Sequence, residues 1–102
     1  MQVVLCTTPV AEAERIARAL VDERLAACVN ILPRVTSVYR WQGAVEQDDE
    51  ALLVIKTRAE CLDGLDKAMR KLHPYEVYEL LALPIQGGHQ PYLDWLTKET
   101  ER

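Results

Sequence analysis

The chain has 102 residues, 49% hydrophobic and 27% charged, enough for one globular core without disulfides or metal to hold it together. Sixteen acidic against twelve basic side chains leave a net charge of −4, which gives no attraction toward nucleic acid or an anionic membrane. No apolar run approaches the length of a transmembrane helix, so neither a membrane nor a nucleic-acid partner is expected. The opening MQVVLCTTP lacks a basic start ahead of an apolar signal core, and the three cysteines, odd in number and without a CxxC pair, read as thiols. Both observations point to the cytoplasm. No linker, repeat or low-complexity tract interrupts residues 1–102, which read as a single domain.

In chain order, QVVLCT reads as a short, continuously apolar strand. Thr8 is placed to cap a helix, with Pro9 in its first turn, where a missing N–H does no harm. Val10, Ala13, Ile16, Ala17, Leu20, Val21 and Leu25 recur at helical spacing, while Glu12, Glu14, Arg15, Arg18 and Asp22 face outward. The stretch from Cys28 to Gln42 then alternates Val35, Ser37, Tyr39 and Trp41 with Thr36, Val38, Arg40 and Gln42, the pattern of a strand. Pro33 within it implies a bulge or an edge strand. Gly43 marks a turn, and AVEQDDEALLVIKT returns as the second arm of a ribbon. Leu62, Leu65, Met69 and Leu72 make a second helix, EVYELLALPI another apolar strand, and QPYLDWLTKE a short closing helix.

That order is an α+β, ferredoxin-like βαββαβ(α) arrangement: a four-stranded antiparallel sheet, a long hairpin between its second and third strands, and two helices on one face. The expected strand order places the fourth strand beside the first, then the third, then the second. Two features do not fit a lone chain. A strand from Cys28 to Gln42 would span roughly 45 Å, against about 33 Å for the diameter of a compact chain of this length. The inner strands VVLC and ALLVI are also apolar on both faces, whereas two helices cover only one. Either Pro33 splits the ribbon within a monomer, or the overhang and the bare face are covered by further copies of the chain. The double-sided apolar strands favour the second.

LAACVNILP, SVYRWQG, the IKT ending the third strand, and HPYEV before the fourth resemble the CutA family of divalent-cation tolerance proteins, in order and across almost the whole chain. The resemblance implies a homotrimer similar in shape to the PII signalling proteins, with hairpins joined between subunits. One departure stands out: the family motif reads HPYEVPE, and Tyr78 replaces its second proline. The change bears on the stiffness of the segment entering the fourth strand.

The topology brings Cys6, near the top of the first strand, to the same end of the sheet as His73, which ends the second helix. A thiolate with an imidazole suits copper, Cu(I) above all, or zinc. The resemblance implies the same pair, since copper in relatives is assigned to the cysteine of VLCT and to histidines before PY. Where relatives can carry two adjacent histidines, Leu72 precedes His73 here. Each residue also has a plain structural reading: Cys6 as a small buried hydrophobe, His73 as a helix-end imidazole ahead of Pro74. Cys28 and Cys61 belong at the opposite end. The run EQDDE reads as a solvated acidic arm, and His89 as a surface-loop residue.

Tyr39, Trp41 and Tyr75 could line a cleft, the aromatic pair on the ribbon packing against a neighbouring subunit. No GxSxG, HExxH or paired-carboxylate site is legible, so no enzyme is expected. Two functions remain. One is a trimer that binds copper or similar ions and contributes to tolerance of them. The other is a PII-like signalling or scaffold trimer that binds a small molecule or partner protein at inter-subunit clefts.

Overall fold

The computed structural model describes all 102 residues. Strand β1 (Gln2–Thr8) leads through a single 3₁₀ turn into helix α1 (Ala13–Asp22). Strands β2 (Cys28–Trp41) and β3 (Ala44–Thr57) follow, then helix α2 (Leu62–Leu72), strand β4 (Leu81–Pro84) and helix α3 (Gln90–Glu99). The sheet runs β2-β3-β1-β4 with every neighbour antiparallel, which is the α+β order expected. No helix is long and apolar enough to cross a membrane.

Local sequence explains the turns. The β2–β3 hairpin closes through Gln42 at φ 50° and Gly43 at φ 84°, the two positive dihedrals that a two-residue hairpin turn of matching twist requires. Helix α1 ends with Arg24 at φ 58°, where Arg24 N–H bonds Val21 O and Leu25 N–H bonds Leu20 O. That reversal drives Leu25 into the core, where it lies over Gly64 of α2; a Cβ at Gly64 would meet Leu25 Cδ2 at 2.9 Å. Pro33 does both things expected of it. It lies on the edge strand β2, and the β2–β3 register slips between Leu32 and Val35.

Two expectations need correction. Thr8 caps no helix: it is the last residue of β1, fully buried, and its hydroxyl donates to Pro9 O at 3.0 Å. The 3₁₀ turn Val10–Glu12 intervenes before α1, whose N-terminus has no side-chain cap. The last strand is also shorter than the apolar run EVYELLALPI. Its ladder with β1 stops at the Leu5–Leu81 pair, and residues 76–80 are irregular. Just past that pair the His73 ring occupies the Thr7 carbonyl, an edge acceptor on which a continuing ladder would depend.

The sheet has two unlike sides. On one, Val4 and Cys6 of β1 and Ala51, Leu53 and Ile55 of β3 pack against Ile16 and Leu20 of α1 and Leu65 and Met69 of α2, all but sealed from solvent. Alternation puts the other residues on the opposite side, where register pairs Leu5 with both Val54 and Leu81, Val3 with Leu83, and Leu32 with Leu52. There Leu32, Leu81 and Leu83 are 42%, 56% and 49% exposed. Beyond this body the hairpin overhangs, giving a long axis of 45 Å against 26 and 21 Å across.

Candidate functional site

Cys6 and His73 both lie against the carbonyl of Thr7. Cys6 points from β1 into the helix-covered core and is fully buried, with Sγ 3.6 Å from Thr7 O. Burial first, then the charges of Glu79 and Glu50, push its thiol from the ordinary 9.0 up to about 12. His73 directly follows α2, whose Met69 O still accepts its backbone N–H at 2.8 Å. Its ring is 6% exposed and fully engaged: Nε2 lies 2.8 Å from Thr7 O, and Nδ1 accepts the Tyr75 N–H at 3.1 Å. A backbone N–H only donates, so Nδ1 is the unprotonated nitrogen and Nε2 carries the proton toward Thr7 O. Tyr78 stacks on the imidazole at 5.1 Å between centroids and 18°, and Tyr75 lies tilted at 4.9 Å.

These contacts decide what the pair can do as folded. A metal ligand needs a free ring nitrogen and a thiolate. Here both nitrogens are hydrogen-bonded and the thiol is held protonated. No three His, Cys, Asp or Glu side chains converge closely enough to hold an ion. The helix-end role expected of the imidazole also falls elsewhere, since Arg15 donates to Leu72 O at 2.7 Å. Tyr78, where the family motif has proline, does more than loosen the chain: besides stacking on His73, its hydroxyl hydrogen-bonds Asp66 of α2.

Next to His73, where the hairpin leaves the body, lies a cleft of about 850 Å³. Tyr39, Trp41 and Tyr75 all line it, with Thr7, Ser37, Asp48, Glu50 and the segment from Glu76 to Glu79. The three aromatic side chains are each roughly half exposed, at 41%, 49% and 42%. Asp48 accepts from the Tyr39 hydroxyl, and that bond, with the charges of Asp48, Glu50 and Glu46, raises Tyr39 to about 12. Tyr75 is raised as well, by desolvation and then by Glu50. None of the lining residues is basic.

Glu50 is the residue that reading the chain missed. EQDDE looked like a solvated arm, and Glu46, Asp48 and Asp49 are exposed; Glu50 is only 7% exposed. The signal was its parity with Leu52 and Val54, which sets it on the apolar open side of β3. Its one hydrogen bond comes from the Tyr75 hydroxyl at a long 3.4 Å. Elsewhere the expectations hold: Cys28 and Cys61 lie at the far end of the sheet, Cys28 opposite Lys56 and Cys61 buried just after Thr57, and His89 is exposed ahead of α3.

Comparison with known proteins extends the resemblance. The family model described as CutA1 divalent ion tolerance protein matches residues 2–99. The chain is 54% identical over 100 residues to the divalent-cation tolerance protein CutA of Thermus thermophilus, covering 97% of each. It is 49% identical over 89 residues to Protein CutA of Mus musculus, covering 87% of this chain but 50% of the mouse protein. Among solved structures, the divalent cation tolerance protein (Cut A1) from Thermus thermophilus superposes with a TM-score of 0.95 at 52% identity, covering 99% of this chain and 100% of that one. The PII-like protein CutA from Nostoc sp. PCC 7120 in apo form gives 0.93 at 34% identity, covering 99% and 98%.

Proposed function

Because the chain belongs to the CutA1 family of divalent ion tolerance proteins, we propose that it serves cation tolerance as a cytoplasmic homotrimer that binds copper or a similar ion and catalyses no reaction. The observation that carries the assembly is the bare side of the sheet, where Leu32, Leu81 and Leu83 stand about half exposed beside Leu5, Leu52 and Val54. A contiguous apolar face of this kind on a soluble chain is an interaction surface. Completing the burial of a leucine contributes roughly 1.5–3 kcal/mol when it starts fully exposed, and a closed ring gives each copy the same gain. Three free thiols, one of them partly exposed, suit a reducing compartment.

Metal binding at Cys6 and His73 is favoured by their common neighbour, Thr7 O, and opposed by the state of both groups. An ion entering there must displace the Tyr75 N–H or the Thr7 carbonyl from the imidazole and a proton from the thiol. A Cu(I) competition titration under reducing, anaerobic conditions tests this, on the wild type and on Cys6→Ser and His73→Ala. Binding that competes with a thiol buffer and is lost in both variants supports the site. Binding indifferent to both substitutions leaves the pair as structure.

A second reading has its own observation. The cleft lined by Tyr39, Trp41 and Tyr75 is large enough for a small molecule and lies where the hairpin meets the open side. In the trimer it would border a neighbouring subunit, so that a PII-like small-molecule site forms between chains.

A further inference from the structure

We propose that this cleft binds a small organic cation, an amine or ammonium compound, through the Glu50 carboxylate and the faces of Tyr39, Trp41 and Tyr75. The assignment rests on the reading of the cleft as a small-molecule site and names the class of molecule it takes. Glu50 is the first reason. Glu50 as a residue is only 7% exposed, no ion pair within the chain reaches it, and only Oε2 has a partner, the Tyr75 hydroxyl at 3.4 Å. Oε1 has no partner within the chain and keeps contact with solvent, on a residue that lines the cleft. A buried carboxylate without a counter-charge is destabilising unless something cationic comes to it.

The aromatic lining is the second reason. A cation over the face of a tyrosine or tryptophan is attracted by the ring quadrupole, and most strongly where water is partly excluded. Tyr39 spends its hydroxyl on Asp48, which leaves its ring face for contact. Asp48, Glu76 and Glu79 surround these rings with further negative charge, and no lysine, arginine or histidine lines the cleft. The field is felt by three separate groups: Cys6, Tyr39 and Tyr75 all have raised pKa values with Glu50 among the causes.

Size and geometry separate an organic cation from a metal ion. A volume of about 850 Å³ is the scale of a small-molecule pocket, and the carboxylates do not converge as ligands of one ion. Positive charge spread over N–H and C–H groups can instead touch Glu50 and the rings together.

Isothermal titration of the full chain, in its assembled form and at fixed ionic strength, tests the proposal. The probes are putrescine, magnesium chloride and succinate. The expected result is saturable putrescine binding that magnesium does not displace. Glu50→Gln should weaken it about tenfold or more, and Trp41→Leu several-fold. Both variants should keep the wild-type circular dichroism and assembled mass. Magnesium that binds like putrescine and displaces it would overturn the assignment in favour of simple charge. Succinate binding without putrescine would overturn the cation and keep the cleft. No binding by any probe would overturn both.

Discussion

The two sides of the sheet solve the same problem differently. On the helix-covered side and its rim, polar groups are buried and satisfied: Thr57 Oγ1 donates to Leu25 O at 2.6 Å, Thr8 to Pro9 O, and His73 engages both ring nitrogens. On the open side the leucines are half exposed, and Glu50 is as buried as His73 yet has one long hydrogen bond and no cation. The covered side is finished by the chain itself. The open side is completed from outside the single chain, by further copies of it along the leucines and by a bound cation at Glu50, and the difference between these two buried groups shows where structure ends and binding begins.

The strongest way to break that contrast is to put a charge where the account needs apolar contact. Leu81→Asp lies on the open side, on a residue that makes no contribution to the helix-covered core. It should leave the monomer fold intact by circular dichroism while abolishing assembly in light scattering. A variant that assembled normally would show that this side is not the interface.

On the finished side, His73→Ala should destabilise by about 3 kcal/mol, since it orphans the Thr7 carbonyl, removes the acceptor for Tyr75 N–H and leaves a gap beside two rings. Chemical denaturation measures it, and a loss below half that value would mean the imidazole is not the anchor described. Tyr78→Phe keeps the stacked ring and deletes only the hydroxyl bonded to Asp66, so about 1 kcal/mol is expected by the same assay.

Most of the architecture was legible because it depends on patterns that a chain cannot hide. Alternation over Val35 to Trp41, the Gly43 turn and the helical spacing of Leu65 and Met69 each allow only one element type. Strand order followed from the order of elements, and the bare face followed from VVLC and ALLVI. The errors came where one tertiary contact outweighed local preference. Thr8 has a capping side chain but lies at the end of a paired strand. EVYELLALPI has the composition of a strand, but the His73 ring takes an edge carbonyl of β1 and the ladder starts only at Leu81.

The site was half legible for a similar reason. Topology set Cys6 and His73 at the same end of the sheet, where both lie against Thr7 O, and Tyr39, Trp41 and Tyr75 line one cleft. Residue type alone could not reveal that both imidazole nitrogens are spent on backbone groups. It also made Glu50 look like its exposed neighbours, although strand parity sets it with Leu52 and Val54.

A smaller effect sharpens the contrast through pH. The Cys6 thiol holds its proton more tightly folded than unfolded, because burial disfavours the thiolate. Its contribution is fully present below the ordinary value of 9.0, declines as pH rises above it, and is gone once pH passes about 12. Cys6→Ala should therefore flatten the fall of melting temperature above pH 9.0. At neutral pH iodoacetamide should modify the partly exposed Cys28 well before Cys6 or Cys61, as peptide mass spectrometry would show.

The most direct test of the unfinished open side is the mass of the wild-type protein in solution, by light scattering across a dilution series into the low micromolar range. The account predicts three times the chain mass, held throughout the series. A chain that stayed monomeric at every concentration, with Leu32, Leu81 and Leu83 left in water, would contradict it.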